Sequence, residues 1–260
     1  MSAPCISLLT DFGVQDTYVG VMHGVIAGIA PPRTRIVDLS HEVAPQDVAG
    51  AAFYWEQALP YFPVGSVHLA VVDPGVGTAR RIVFARRATD LLVAPDNGLL
   101  TPFVGEAEVF ELTAHVALAG CSTTFHGRDV FSPLAARLAR GEAPEDLGRV
   151  VPASSLVPLE RAQARQVSPG VWCGTVVHVD RFGNLITNLP SALGGVRSLS
   201  VGGHTVSGPV ARSYAEREAG SAMVVAGSSG WLEVSISMGD AAGVLGVVRG
   251  AEVRLDVAPS

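Results

Sequence analysis

Two aspartates close hydrophobic runs in the same way: "ISLLTDFG" ends on Asp11 and "LAVVDPG" on Asp73, each with glycine close behind. Ligands of open α/β sheets bind just beyond the carboxyl ends of the strands, so the pair is expected to face one crevice. Either residue alone is equally well a turn former, because Asp before Pro or Gly is common in loops. As a pair they favour chemistry, and Arg80 follows Asp73 by seven residues. "TFHGRDVFSP" packs His126, Arg128 and Asp129 into four residues at a loop-to-helix entry. An imidazole there is semi-exposed, and its pKa is open to its neighbours. The plain alternative is that Asp129 caps a helix and Arg128 is merely solvated. In "VDRFGNLITN", Phe182 and Asn184 flank a glycine in a β context. An aromatic face and an amide at a strand bend suit an adenine-like ring. "AGSSGWLEV" offers the Ser228 and Ser229 hydroxyls and backbone amides in a glycine turn, fit for a carboxylate or a purine edge. A β-hairpin explains it about as well. "VAPDNGLLTP" reads as a structural turn, with Asn97 and Gly98 needing no ligand.

The elements that must position these residues alternate from residue 5 to about 145. "CISLLT", "RIVDL", "SVHLAVVD", "RIVFA" and "LLVA" are strands, and helices lie between them. In "DTYVGVMHGVIAGI", Val19, Met22, Ile26 and Ile29 recur at helical spacing, with Asp16 placed as an N-cap. "APQDVAGAAFYWEQAL" is a second helix, and "RDVFSPLAARLARG" a third, capped by Asp129 and closed by Gly141. This alternation predicts a mainly parallel sheet flanked by helices. Around residues 142–170 the text turns Pro- and Ser-bearing, and beyond it the helical period disappears. We therefore expect an N-terminal α/β domain over 1–165 and a smaller C-terminal all-β, barrel-like domain over 166–260.

Composition narrows the chemistry. The 260 residues are 48% hydrophobic and 16% charged, enough to bury a large core. A net charge of −6 without a basic run disfavours nucleic acid as a partner. All eighteen basic residues are arginine, which removes Schiff-base chemistry and the P-loop lysine together. None of the seven histidines falls in HExxH spacing, and no clustered Cys or His set is visible, so neither a structural nor a catalytic metal is expected. Cys5, Cys121 and Cys173 are odd in number, widely spaced and set among apolar neighbours, which predicts reduced core thiols and a cytoplasmic location. With no signal segment and no apolar run approaching ~18 residues, no membrane association is expected.

Taken together, "LLTDFGVQDTYVGVMHGVI", "IVDLSHEVAPQDV", "PYFPVGSVHLAVVDPGVGT", "VAPDNGLLTP", "TFHGRDVFSP", "VDRFGNLITN" and "GSSGWLEV" resemble the S-adenosyl-L-methionine hydroxide adenosyltransferases, relatives of the fluorinase and chlorinase enzymes. The resemblance covers almost the whole chain and is weakest at the linker and residues 190–215. It implies an α/β domain joined to a β-barrel in a homotrimer, with the ligand between one subunit's N-domain and its neighbour's C-domain. It implies attack of water or hydroxide on the ribose C5′ of S-adenosyl-L-methionine (SAM), giving adenosine and L-methionine with no cofactor. The residues matching the family's water-binding triad are Asp73, Arg80 and His126. By the same resemblance Asp11 is expected to bind the ribose hydroxyls, Asp180 the methionine ammonium, and Phe182 the adenine face. Asn184, Ser228, Ser229 and Glu233 are expected to contact the base or the amino acid end.

The reaction so implied needs no acid for its leaving group, since a neutral thioether departs from a cation. It needs a positioned nucleophile and a proton acceptor, worth roughly 10²- to 10⁴-fold in general-base catalysis. Two rivals stand beside it. The first is a halogenase, in which the matching pattern carries tyrosine at Asp73, serine at Gly127 and arginine at Ser229. A halide beside the Asp73 carboxylate would meet repulsion of roughly 1 to 4 kcal/mol at about 4 Å, which Arg80 would partly offset. The second is a non-catalytic adenosine or nucleotide sensor, for which a proton acceptor near C5′ has no purpose.

Overall fold

The computed structural model describes residues 3–258. The chain divides into two compact units, the first ending at Glu160 and the second beginning at Arg161.

The first unit is built on a seven-stranded sheet. Its strands are β1 (Cys5–Thr10), β2 (Arg35–Ser40), β3 (Val67–Val71), β4 (Ile82–Arg87), β5 (Asp90–Pro95), β6 (Ala107–Leu112) and β7 (Gly148–Val151), in the spatial order β2-β1-β3-β5-β4-β6-β7. Every residue of β1 and β3 is buried, as continuous apolar runs require of strands covered on both faces. Side chains alternate faces along each strand. Ile6, Leu8, Val67, Leu69 and Val71 therefore point into one core, with Phe84, Phe110 and the helices α1 (Tyr18–Ile29) and α3 (Ser132–Ala139). Leu9, Ala70, Val72 and Val83 point into the other, built around Trp55 of α2 (Val48–Ala58).

The sheet is mixed rather than parallel throughout. The β1–β2, β1–β3 and β3–β5 pairings are parallel, whereas β5–β4, β4–β6 and β6–β7 are antiparallel. The antiparallel half arises because β4 and β5 form a tight hairpin, which no crossover helix separates. From β1 the chain runs to β2 on one side, while β3 lies on the other, so the carboxyl ends of β1 and β3 flank a topological switch point.

Two expected caps are corrected. Asp16 does not cap α1: the N-cap is Thr17, without a side-chain bond, so Asp16 lies one residue too early. Asp129 does not cap α3, because a π-turn over Gly127–Phe131 precedes that helix, and the Asp129 side chain turns inward instead. Asp47 does cap α2, accepting from Gly50 N at 2.9 Å. Gly141 follows α3 at φ +94°, a left-handed conformation suited to glycine. A four-residue helix, α4 (Pro144–Leu147), leads into β7.

The second unit is an antiparallel eight-stranded sheet comprising β8 (Arg165–Ser168), β9 (Val171–Val179), β10 (Leu185–Pro190), β11 (Val196–Val201), β12 (His204–Ser207), β13 (Ala222–Ala226), β14 (Trp231–Ile236) and β15 (Glu252–Val257). The order is β12-β11-β15-β9-β10-β14-β13, with β8 beside β9; β12 and β13 lie against one another, so the sheet curls into a nearly closed barrel. Leu185, Leu189, Leu199, Val234 and Leu255 fill it. A short helix, α5 (Ala241–Leu245), is capped by Asp240, which accepts from Gly243 N. Among the described residues no helix is long and apolar enough to cross a membrane.

Candidate active site

The carboxyl ends of β1 and β3 open onto a cavity of about 650 Å³ within the first unit, lined by both Asp11 and Asp73 together with His126. Asp73 stands two residues beyond β3 and Arg80 two before β4, so the strand–turn–strand path brings them together. Arg80 Nε donates to both Asp73 carboxylate oxygens at 2.9 Å, and Nη2 donates to Oδ2. Nη2 also lies 2.9 Å from His126 Nδ1. The Asp73 and Arg80 side chains are only 4% and 9% exposed. The guanidinium rests over the Phe131 ring, 5.2 Å from its centroid. Asp73, Arg80 and His126, distant in sequence, thus form one hydrogen-bonded chain. Arg80 Nη1 is left as a buried donor with no partner.

A guanidinium can only donate, so His126 Nδ1 must accept, and a neutral His126 carries its proton on Nε2. Burial first, then the Arg80 charge, push the His126 pKa below its usual value, against the opposing pull of Asp73 and Asp129. The imidazole is therefore neutral at neutral pH.

The loop bearing His126 is held from below. Asp129 is buried, accepts from Ser122 N at 2.8 Å and is gripped bidentately by Arg128 at 2.6 and 2.8 Å. Arg128 is thus a structural partner as well as a cavity residue. The Arg128 hydrogen bonds hold the Asp129 pKa below the usual carboxylate range, outweighing its burial. Ser132 Oγ donates to Gly127 O at 2.8 Å, supporting the π-turn; such turns concentrate at functional sites. Asp11, which lines the same cavity, accepts from Gln46 N at 2.8 Å through Oδ2. Asn97 is more than a turn residue. Its Nδ2 donates to Val72 O at 2.8 Å, fixing the backbone just before Asp73.

Phe12, Tyr18 and Phe125 do not stand out in the sequence, yet they line the same cavity as an aromatic trio, with centroids 5.1 to 6.0 Å apart. Their one legible signal is the presence of two aromatics close behind Asp11.

The remaining candidates lie in the second unit. Asp180 organises its own turn, accepting from Phe182 N and Asn184 N at 2.9 Å and from Asn184 Nδ2 at 2.8 Å. Gly183 there has φ +81°, and a Cβ would fall 1.9 Å from Asp240 Oδ1. Phe182 is 75% exposed, whereas Asn184 is buried. Glu233 is buried and accepts from Tyr214 Oη at 3.0 Å. Burial, seconded by the Asp180 charge, raises the Glu233 pKa despite that bond, and burial beside Glu233 pushes Tyr214 up to about 12. Ser228 is exposed, while the Ser229 hydroxyl is buried without a partner. Asp180, Glu233 and Tyr214 therefore share one electronegative neighbourhood, with Phe182 and Asn184 on the Asp180 turn.

Comparison with known proteins places the chain in a family. The chain is 43% identical to an (R)-S-adenosyl-L-methionine hydrolase of Thermus thermophilus, over 96% of this chain and 98% of that one. More distantly, it is 30% identical to a fluorinase of an Actinoplanes species, over 72% of each. The crystal structure of an uncharacterized conserved protein from Thermotoga maritima superposes with a TM-score of 0.89 at 35% identity, covering 96% of this chain and 99% of that one. The family models of the SAM hydroxide adenosyltransferase N-terminal and C-terminal domains match residues 6–148 and 174–254. With both domain models matched in order, and paired strand-end aspartates opening on one cavity, the chain belongs to the SAM hydroxide adenosyltransferase family.

Proposed function

We propose that this chain hydrolyses S-adenosyl-L-methionine to adenosine and L-methionine, by attack of water at the ribose C5′. The observation that carries the reading is the Asp73–Arg80–His126 chain at the edge of a nucleoside-sized cavity. The substrate is already a sulfonium cation, so what the enzyme must do is hold and deprotonate water in line with the breaking C–S bond. Arg80 Nη1, a buried donor with no protein partner, is suited to hold that water and to stabilise the hydroxide character it acquires. His126 has its Nδ1 lone pair occupied, so it orients the water through Nε2–H rather than accepting from it. The proton then passes to Asp73, whose carboxylate retains acceptor capacity beyond its bonds to Arg80.

In this reading Asp11 binds the ribose hydroxyls, and Phe12, Tyr18 and Phe125 pack against the nucleoside. Phe182 and Asn184 meet adenine. The methionine ammonium relieves the mutual repulsion of Asp180 and Glu233, and Ser228 and Ser229 serve the carboxylate end. The ligand lies between one subunit's first unit and its neighbour's second unit in a homotrimer. No cofactor takes part. The three cysteines are free, but of them only Cys5 is buried and Cys121 is exposed rather than in the core; free thiols fit a reducing, cytoplasmic setting. The relatives' names specify the (R) configuration at sulfur, and we extend that preference to this chain.

The test is to incubate the purified protein with each SAM sulfonium epimer and separate the products. Adenosine plus methionine, formed faster from the (R) epimer, supports the proposal. A halogenated nucleoside formed in the presence of chloride would make it a halogenase, and bound but unchanged SAM a sensor. Asp73→Asn keeps the shape but removes the acceptor, and is expected to lower kcat about 10²- to 10⁴-fold with KM little changed. Undiminished turnover in both Asp73→Asn and His126→Ala would overturn the assignment.

A further inference from the structure

We propose that His23, Asp38 and His41 form a binding site for a divalent transition-metal ion of the zinc type, separate from the water-binding chain. The three residues come from different elements: His23 from the middle of α1, Asp38 from the edge strand β2, and His41 from the loop just after it. Their ligand atoms all lie within 4.8 Å of one another. Both imidazoles present Nε2 to the same oxygen, His23 at 2.8 Å and His41 at 3.1 Å from Asp38 Oδ1. Tetrahedral ligands with metal bonds of about 2.0 to 2.1 Å stand roughly 3.3 Å apart, so closure around an ion needs only small side-chain shifts.

The observation that points to an ion, rather than to a plain hydrogen-bonded cluster, is His41. The residue is 4% exposed, and its Nε2 meets Asp38 Oδ1 at 3.1 Å, an ion-pair contact to an oxygen it shares with His23 and one that falls short of well-formed hydrogen-bond geometry. A buried ring nitrogen so poorly satisfied is costly, and a metal bond removes that cost. The other ring nitrogen is already set for ligation. Nδ1 lies 2.8 Å from Thr10 Oγ1, a fully buried hydroxyl. A proton on Nδ1 donated to Thr10 frees the Nε2 lone pair, the outer-shell support that metal-binding histidines use. Two imidazoles and one carboxylate suit zinc, cobalt or nickel rather than magnesium or calcium. His23 and Asp38 side chains are 33% and 41% exposed, which leaves an entry path and a fourth position for water.

The ion's role follows from what the ligands join. Gly13 N donates to His41 O at 2.8 Å, Thr10 directly precedes Asp11, and Gln46 of the loop after β2 holds Asp11. An ion here would clamp α1 to an edge strand and brace the Asp11 wall of the cavity without entering the reaction.

The experiment strips the purified protein with a chelator and titrates it with Co²⁺, then Zn²⁺, reading visible d–d absorption, calorimetric stoichiometry and the thermal midpoint. One ion per chain is expected, with d–d bands of low-coordinate Co²⁺ that Zn²⁺ abolishes, and a midpoint raised by Zn²⁺. His23→Gln and Asp38→Asn, at partly exposed positions that spare the buried His41, should lose the bands and the midpoint shift while keeping the native circular dichroism. Thr10→Val should weaken binding about 10- to 100-fold, as loss of an outer-shell partner does. Absence of Co²⁺ bands in the parent protein, or binding unchanged in both ligand variants, would overturn the site. Either result leaves the hydrolase reading untouched, since SAM turnover is measured separately.

Discussion

Arg80 divides the hydrogens of one nitrogen between a carboxylate and an imidazole, and that division sets how the site responds to acid. Burial and the Arg80 charge both oppose the imidazolium, so His126 stays neutral to a pH below its ordinary value. When it does protonate, Nδ1 becomes a donor facing another donor, and the bond to Arg80 is lost. The sign is fixed: activity is retained above the lowered pKa and falls as pH drops through it. A profile of kcat/KM against pH for SAM hydrolysis should therefore show an acid limb lying below pH 6.5, the ordinary histidine value. His126→Gln should retain a reduced rate without that limb. A limb centred at or above 6.5 in the parent, or one that persists in His126→Gln, would assign the titration to another group. Another histidine reports on the fold instead. His68 is fully buried in β3 against Ser7 Oγ, and burial lowers its pKa to about 4. The unfolded chain takes up a proton below about pH 6.5 and the folded one only near pH 4, so stability falls as pH drops between these values, by up to about 1.4 kcal/mol per unit. Urea denaturation between pH 6.5 and 5 should show that slope, and His68→Gln should flatten it.

At the scale of elements, strands and turns hold the candidate reacting groups, and their tolerances can be measured. Asn97 has no place at the reacting atoms, yet its bond to Val72 O anchors the backbone that presents Asp73. Asn97→Ala is expected to lower kcat while leaving KM and the overall fold nearly unchanged, and Asn97→Asp, which cannot donate, should fail to rescue it. Equal losses in kcat and thermal stability would reduce Asn97 to a turn residue. The strands that present Asp11 and Asp73 were legible because a strand buried on both faces must be a continuous apolar run, and a carboxylate at its end stands out. Strands β6, β7 and β8 were not, because "AEVFEL", "GRVV" and "RQVS" are short, carry polar residues and become strands only through their neighbours. Asp129 read as a cap because its spacing fits one; its burial against Arg128 and Ser122 depends on a loop fold that no local pattern announces. His23, Asp38 and His41 share no motif spacing, since β1–β2 pairing and the packing of α1, not sequence proximity, bring them together.

On the scale of the whole molecule, the candidate residues fall into two sets that the chain keeps in separate units: Asp11, Asp73, Arg80 and His126 before Glu160, and Asp180, Phe182, Asn184 and Glu233 after Arg161. Each set is incomplete for the proposed reaction. The first has the candidate water-binding residues and a wall of aromatics, while the second has an exposed ring and a pair of neighbouring carboxylates. In the proposed homotrimer each site takes its two halves from different subunits, and this arrangement makes a prediction that a site within one chain does not. Asp73→Ala disables the first half and Phe182→Ala the second, so each homotrimer should be strongly impaired in SAM hydrolysis. When the two variants are unfolded together and refolded in equal amounts, subunits assort at random. About a quarter of the sites then combine an intact first unit with an intact second unit from its neighbour, and that share of parental activity should return. Were each site formed within a single chain, every site would carry one defect and mixing would restore nothing. Separate refolding followed by mixing controls for slow exchange, and chromatography with light scattering shows whether the active species is trimeric.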